Sequence, residues 1–336
     1  MQTKIVKHCY FFRKSVLFLI LLLTYTSVFA DSDRIDFHMA YAYENQLLIE
    51  GRMVESRNIR EPAENDSRRR NFKRSVKQFF NDEADDELIW LGFVKDSWFV
   101  QTDDEGYFRL DARTSEVLNS GWHDVRAYSN NAAETGKVLV VSRENTLGLI
   151  SDLDDTIIVS EVLKKRRLLS NTFLKNPLQR KPFPGMAELY QQVARVNKEP
   201  ESAPIFYLSA SPRQLSRGIN AFLQHNKFPQ GVLITKRLDN NPLFDQTGYK
   251  AREIQEVFDR LPNVRFILVG DDGEKDPEIY QEIREKYPDR VEAIWIREVN
   301  KNPDRPKFDN QLNLDEVVSQ KLNRVEPLTL DNLQVR

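Results

Sequence analysis

Hydrophobic positions fall into two regimes along the chain. From about Phe37 to Val141 they come as short runs separated by turns: Leu47–Val54, Leu88–Val94, Ser97–Gln101, Tyr107–Leu110 and Lys137–Val141. Asp103-Asp104-Glu105-Gly106, set between two of these runs, is a hairpin signal. The pattern predicts a small β-sandwich. Between its early strands Glu55–Asp85 is polar, with Arg68-Arg69-Arg70, Lys73 and Arg74 and only Val76–Phe80 apolar. It is expected to be a long loop or peripheral helix carrying a solvated charge run.

From Leu147 onward strands alternate with helices, the signature of a parallel sheet. Leu147, Leu149 and Ile150 form a short buried-strand run. Val159–Phe173 reads as a helix bearing Lys164, Lys165, Arg166 and Arg167, and Lys175, Arg180 and Lys181 extend its basic run. Pro184-Gly185 opens a helix through Val196. Ile205–Leu208 is the next strand, and Pro212, capped by Ser211, is expected to start the helix that runs to His225. Val232–Ile234, a helix over Lys250–Leu261, Val264–Val269, a helix over Pro277–Tyr287 and Val291–Ile296 complete the alternation.

The N-terminus differs from both regimes. Lys4, Lys7, Arg13 and Lys14 precede the apolar run Val16–Leu23, and Val28-Phe29-Ala30 closes it. This is a secretory signal pattern with cleavage expected after Ala30, and the run is too short for a bilayer span of about 20 residues. The expected location is outside a bacterial cytoplasm, periplasmic or secreted. Of 49 basic residues four leave with the signal, so 45 face 51 acidic ones and the net charge is near −6. That balance argues against a nucleic-acid partner. Cys9, the sole cysteine, lies in the signal, which excludes disulfides, thiolate metal sites and a cysteine nucleophile from the processed chain. His38, His123 and His225 show no metal-ligand spacing.

Candidate chemistry sits at the strand ends. Asp152, Asp154 and Asp155 follow the first parallel strand, Ser209 the second, and Asp271 the later one, in Gly270-Asp271-Asp272-Gly273-Glu274-Lys275-Asp276. An EF-hand reading fails, because the sixth position from Asp152 is Ile157 and the twelfth is Leu163. With Lys250, these groups supply a nucleophile, a proton shuttle, a hydroxyl, a cation and carboxylates for Mg²⁺, which is what phosphoryl transfer needs.

Asp152–Thr156, Ser209, Lys250 and Gly270–Asp276 resemble the four motifs of the haloacid dehalogenase superfamily. Ile150–Ile157, Phe173 through Tyr190, Tyr207–Pro212 and Val269–Tyr280 narrow the resemblance to the phosphatidate phosphatase family typified by the yeast actin-patch enzyme, a distant relative of the lipins; it covers about Thr146–Arg297. The resemblance implies an α/β fold with a Rossmann-like haloacid dehalogenase parallel sheet, here preceded by the small β-sandwich. It implies that Asp152 is the nucleophile and a Mg²⁺ ligand, and that Asp154 is the acid/base and lends its carbonyl to the metal. Thr156 would shape the loop, Ser209 bind a phosphate oxygen, Lys250 offset charge, and Asp271 serve as the second metal carboxylate. Where the family often has Ser this chain has Asp272, which leaves Asp272 and Asp276 as alternatives for completing the metal shell.

The expected organisation is a signal peptide over 1–30, a β-sandwich-like domain over 31–143, a phosphatase catalytic domain over 144–300 and a partly helical tail over 301–336. The expected activity is Mg²⁺-dependent hydrolysis of phosphatidate, with peripheral contact to an anionic membrane through Lys164–Arg167 and Lys175–Lys181. Two other readings remain: a phosphatase of another phosphomonoester, such as lysophosphatidate or a soluble sugar phosphate, or a non-catalytic lipid- or metal-binding adaptor.

Overall fold

The computed structural model describes residues 33–54, 63, 65–67, 69–71, 73, 86–158, 177–237, 246–302, 304–322, 328–329 and 333. The expected signal peptide, the helix over Val159–Phe173 and its basic run through Lys175 lie outside the described residues.

Seven strands come first: β1 (Arg34–Tyr43), β2 (Gln46–Val54), β3 (Leu88–Phe93), β4 (Asp96–Gln101), β5 (Tyr107–Arg113), β6 (Gly121–Tyr128) and β7 (Ala133–Val141). They form one sheet in the order β4-β3-β6-β7-β1-β2-β5. Every neighbouring pair is antiparallel except β1 and β7. The sheet rolls until its two edges meet. Asp96 Oδ2, at the start of β4, accepts the Ser115 N–H just past β5 at 2.9 Å, and Lys95 pairs with Glu116. The expected two-layer sandwich is therefore a single, nearly barrel-like sheet. Alternation and hairpin turns fix strands and faces, but both architectures share them, so the pattern along the chain does not choose between them. Alternation also accounts for β6, absent from the strand reading: Val125 and Ala127 are buried while Asp124, Arg126 and Tyr128 face water.

The second sheet is wholly parallel. It contains β8 (Leu147–Asp152), β9 (Ile205–Pro212), β10 (Val232–Lys236), β11 (Arg265–Asp271), β12 (Val291–Arg297) and β13 (Leu312–Asn313), in the order β10-β9-β8-β11-β12-β13. The helices are α1 (Met186–Val196), α2 (Ser216–His225), α3 (Gln246–Arg260), α4 (Asp276–Lys286) and α5 (Leu314–Leu322). Strand order runs outward in both directions from β8. The C-terminal ends of β8, β9 and β11 thus meet at the point where an open α/β sheet forms its crevice.

Alternate residues of each parallel strand serve two cores. Leu147, Leu149, Tyr207 and Trp295 pack on one face with α1, α2 and α5, including Met186, Phe222, Leu314 and Val317. Ile150, Phe206, Leu208 and Ile294 pack on the other face with Ile254, Val257 and Phe258 of α3 and Ile279 and Ile283 of α4. Met39, Tyr41, Tyr43, Leu48, Leu139 and Val141 of the rolled sheet join that second core. A third cluster, with Leu47, Ile49, Ile89, Leu91 and Val138, fills the inside of the rolled sheet. The two sheets thus share buried apolar surface, and Tyr41 stacks edge-on to Phe206 at 5.2 Å.

That contact predicts two opposite outcomes. Tyr41→Ala is expected to lower the unfolding free energy by about 3–5 kcal/mol, as for other large aromatic truncations. Tyr41→Phe is expected to be neutral or stabilising, because the buried Tyr41 hydroxyl has no hydrogen-bond partner among the described residues. Denaturant melts of the three proteins check both.

Candidate active site

β8 is buried along its whole length and delivers Asp152 at its C-terminal end. The chain then reverses at Asp155, whose φ of 61° lies in the left-handed region that Asp tolerates better than most residues. Arg297 Nη1, at the end of β12, donates to the Asp155 carbonyl at 2.7 Å, and its guanidinium lies 4.2 Å from the centre of the Phe183 ring. Ile158 bridges both Asp154 and Pro182. The acidic turn is thereby pinned from two sides.

Lys250 enters from α3. It lies on the helix face that carries Ile254, Val257 and Phe258, spaced four, seven and eight residues on, so burying that face buries the lysine. The residue is 1% exposed, which makes unpaired burial of its ammonium untenable. Nζ donates to Asp152 Oδ1 at 2.8 Å and to Asp276 Oδ1 at 2.5 Å. Asp276 opens α4, where the helix dipole favours a carboxylate, and it shares its face with Ile279, Tyr280 and Ile283. Gly270 makes room for it: a Cβ there would meet Asp276 Oδ2 at 2.4 Å.

Thr156 Oγ1 lies 3.0 Å from Asp152 Oδ2 and 3.4 Å from Asp271 Oδ2, so its hydroxyl bridges the two acids. Asp271 Oδ1 accepts the Gly273 N–H at 2.7 Å. Asp152, Asp271 and Asp276 each offer an oxygen, and the three lie within 4.8 Å of one another. Asp276 Oδ2 is buried with no hydrogen-bond partner among the described residues. Three buried carboxylates facing one ammonium leave two negative charges when ionised, and the unpaired oxygen is one that a cation could satisfy. An oxygen-only donor set of this kind suits a hard divalent ion. Burial pushes the Asp152 carboxyl well up, against the pull of Lys250, and burial followed by the Asp276 charge raises Asp271 to about 8. Burial alone would lower Lys250, but Asp152 and Asp276 outweigh it and hold the amine well above its ordinary value.

The remaining candidate residues are placed as follows. Ser209 is buried near the end of β9 and accepts the Ser211 N–H at 3.0 Å. Ser211 does not cap a helix as expected. The strand continues through Pro212, a 3₁₀ turn over Arg213–Leu215 precedes α2, and Ser211 Oγ donates to Asp154 Oδ2 at 3.2 Å. The geometry of this sheet edge overrides capping preference here, and Ser211 becomes a partner of Asp154 that the sequence reading did not name. Asp154 is half-buried. Asp272 stands apart from the acidic triad: its Oδ1 accepts the N–H groups of Val299 and Asn300 at 2.6 and 2.7 Å. Arg305 Nε donates to the Asp272 carbonyl at 2.9 Å, and the same guanidinium binds the Glu274 carbonyl and the Glu278 carboxylate. Of the two alternatives for a third acid, geometry puts Asp276 in the triad and Asp272 in the clasp that holds its loop. Neither Arg297 nor Arg305 sits in a motif, so nothing in their sequence context singles them out.

The fold and site define a class: a parallel α/β unit whose first strand delivers one aspartate to an acidic, metal-capable triad with a buried lysine, with a second aspartate in the turn that follows. Residues 147–298 match the model of the family described as phosphatidate phosphatase APP1, catalytic domain. An uncharacterized protein of Schizosaccharomyces pombe is 27% identical over 216 residues, 60% of this chain and 34% of that protein. Phosphatidate phosphatase APP1 of Saccharomyces cerevisiae is 28% identical over 225 residues, 64% of this chain and 37% of its own length. The chain thus spans about a third of the length of these curated relatives. Among solved structures, a carbohydrate acetylesterase from Xanthomonas citri is similar over 84% of this chain and 71% of its own. Its TM-score of 0.29 at 11% identity carries no argument.

The acid cluster predicts how stability depends on pH. Asp271 keeps its proton in the folded, metal-free chain up to about 8, whereas unfolded it releases it near 3.8. The folded state therefore binds more protons across that window, and metal-free stability falls as pH rises through it. A divalent cation held by the triad would replace the proton. Adding Mg²⁺ is expected to raise Tm more at pH 8 than at pH 5, as thermal melts with Mg²⁺ and with EDTA will measure.

Proposed function

We propose that this chain is a Mg²⁺-dependent phosphatidate phosphatase with a haloacid dehalogenase-type catalytic half. The observation that carries the reading is the buried Lys250 joining Asp152 to Asp276 beside Asp271, within the segment that matches the phosphatase family.

In this mechanism an Asp152 carboxylate oxygen attacks phosphorus and the bond from phosphorus to the lipid oxygen breaks. Asp154 gives its proton to the departing alkoxide, which leaves as diacylglycerol. Water then attacks the aspartyl-phosphate, Asp154 takes the water's proton, and phosphate departs while Asp152 is restored. Thr156 holds Asp152 in place through its hydroxyl, and Ser211 does the same for Asp154. Lys250 offsets the repulsion between a carboxylate nucleophile and a phosphate dianion. Asp152, Asp271 and Asp276, with the Asp154 carbonyl, would hold Mg²⁺, which when bound neutralises charge on the phosphoryl oxygens. Ser209, one strand over, would bind one of those oxygens.

The reading is tested by phosphate release from dioctanoyl phosphatidate in mixed micelles, with Mg²⁺ or EDTA. Wild type is expected to release phosphate only with Mg²⁺, and Asp154→Asn to lose about a hundredfold to ten-thousandfold in kcat. Release from an aryl phosphate but not from the lipid would discard phosphatidate as substrate. Silence on both substrates would overturn the enzyme reading.

We also propose that the chain is exported with cleavage after Ala30. N-terminal sequencing of the exported protein should begin at Asp31, and a full-length chain retained in the cytoplasm would refute the idea.

A further inference from the structure

The segment that carries Arg180 returns to the catalytic edge and is anchored there on both sides. Downstream, Pro182 pairs with Ile158, which itself bridges Asp154, and the Phe183 N–H donates to the Ile157 carbonyl at 2.8 Å. Upstream, the 3₁₀ turn Pro177–Gln179 is clasped by residues from the polar segment between β2 and β3. Asn71 Nδ2 donates to Gln179 Oε1 at 3.1 Å, and Gln179 Nε2 donates to the Asp66 carbonyl at 3.1 Å. Asn71 is 1% exposed and Asp66 5%, although their surroundings in sequence predict a solvated charge run. The Asp66 carboxylate in turn accepts the Ala63 N–H and the Arg70 guanidinium, both at 3.1 Å, which folds the segment onto itself. Asp66 and Asn71 thus tie the segment after β2 to the turn that leads to the edge where Asp154 lies.

Arg180 sits between these anchors. Burial pushes its guanidinium down, and the nearby Asp154 charge opposes that shift. Among the described residues Arg180 makes no hydrogen bond or ion pair, so its donors are available to a ligand. The charges of the site call for one more cation. Asp152, Asp154, Asp271 and Asp276 carry four negative charges when ionised, against Lys250 and a divalent ion, and a phosphomonoester dianion adds two more. Lys250 already donates to two carboxylates. The planar fork of arginine matches two non-bridging phosphoryl oxygens in a way that an ammonium does not.

We infer that Arg180 receives two oxygens of the substrate phosphoryl group, and that the Asp66–Asn71–Gln179 clasp is the positioning device that holds it over the site. The inference deepens the phosphomonoesterase reading and rests on it. It selects monoesters, which offer a terminal dianion, and gives the first half of the chain a part in substrate binding.

The test uses the full chain with Mg²⁺, titrated calorimetrically with inorganic phosphate, alongside kcat and KM on a soluble aryl phosphate and a thermal melt. Arg180→Ala is expected to weaken phosphate binding about tenfold or more, on the scale of a charge-assisted bidentate pair. Arg180→Lys should recover part of the loss. Lys181→Ala, its exposed basic neighbour, should match wild type. Asn71→Ala should raise KM severalfold with little change in kcat, and in an Arg180→Ala background it should add nothing, since both act through one guanidinium. Phosphate affinity and KM unchanged in Arg180→Ala would overturn the inference while the phosphatase reading stands. An Asn71→Ala penalty retained in full on Arg180→Ala would overturn the clasp. A wild type that neither binds nor releases phosphate would overturn the phosphatase reading and this inference with it.

Discussion

A lysine ammonium taken out of water must find negative charge, and in this chain Lys250 finds two carboxylates from opposite ends of the second half's sequence. Asp152 comes from the first parallel strand and Asp276 from the start of a helix more than a hundred residues later. The pairing requires β8, α3 and α4 to converge, and the core that Ile254, Val257, Phe258, Ile279 and Ile283 form with the sheet makes them converge. Hydrophobic burial drives the convergence, because each helix hides a full apolar stripe. The cluster's cost is offset locally: Thr156, Gly273 and Lys250 lie within hydrogen-bond reach of five of the six carboxylate oxygens, and among the described residues the sixth, Asp276 Oδ2, has no partner.

The rolled sheet is bound into this arrangement. Its outer face contributes Met39, Tyr41 and Leu48 to the core behind the catalytic sheet. Ionic contacts reinforce the seam: the buried Glu50 of β2 accepts from Arg213, which follows β9, at 2.6 Å, and also pairs with Arg109 of β5, which reaches Glu256 on α3. Truncating Arg213 would leave Glu50 with one partner fewer in a dry place, where removal of one member of a buried pair costs about 3–5 kcal/mol.

Much of the catalytic half was legible in the sequence because its signals are local. Apolar runs ending in Asp152, Ser209 and Asp271 mark strands and their ends. Lys250 stood out by its order and spacing with those acids, while Asp276 remained one of two alternatives until the helix face it shares with Ile279, Tyr280 and Ile283 was placed. The rest depended on contacts that no local pattern encodes. One rolled sheet and a two-layer sandwich share the same alternation. Ser211 looked like a helix cap because Ser-Pro commonly is one, yet the strand runs on and its hydroxyl turns to Asp154. Asp272 and Asp276 stood as alternatives for the metal shell, but the N–H groups of Val299 and Asn300 occupy Asp272, and those come from a strap whose position no motif announces. The clasp of Asn71 on Gln179 spans 108 residues and joins two segments that each read as solvated polar chain.

The central claim is that Asp152 is the atom donor to phosphorus. Its most direct test is to quench turnover with acid and map the phosphorylated residue by mass spectrometry of the digested chain. The account predicts phosphate on the peptide that contains Asp152, present in wild type during turnover, enriched in Asp154→Asn if hydrolysis slows more than formation, and absent from Asp152→Asn. Phosphate carried by another residue, or retained turnover in Asp152→Asn, would contradict it.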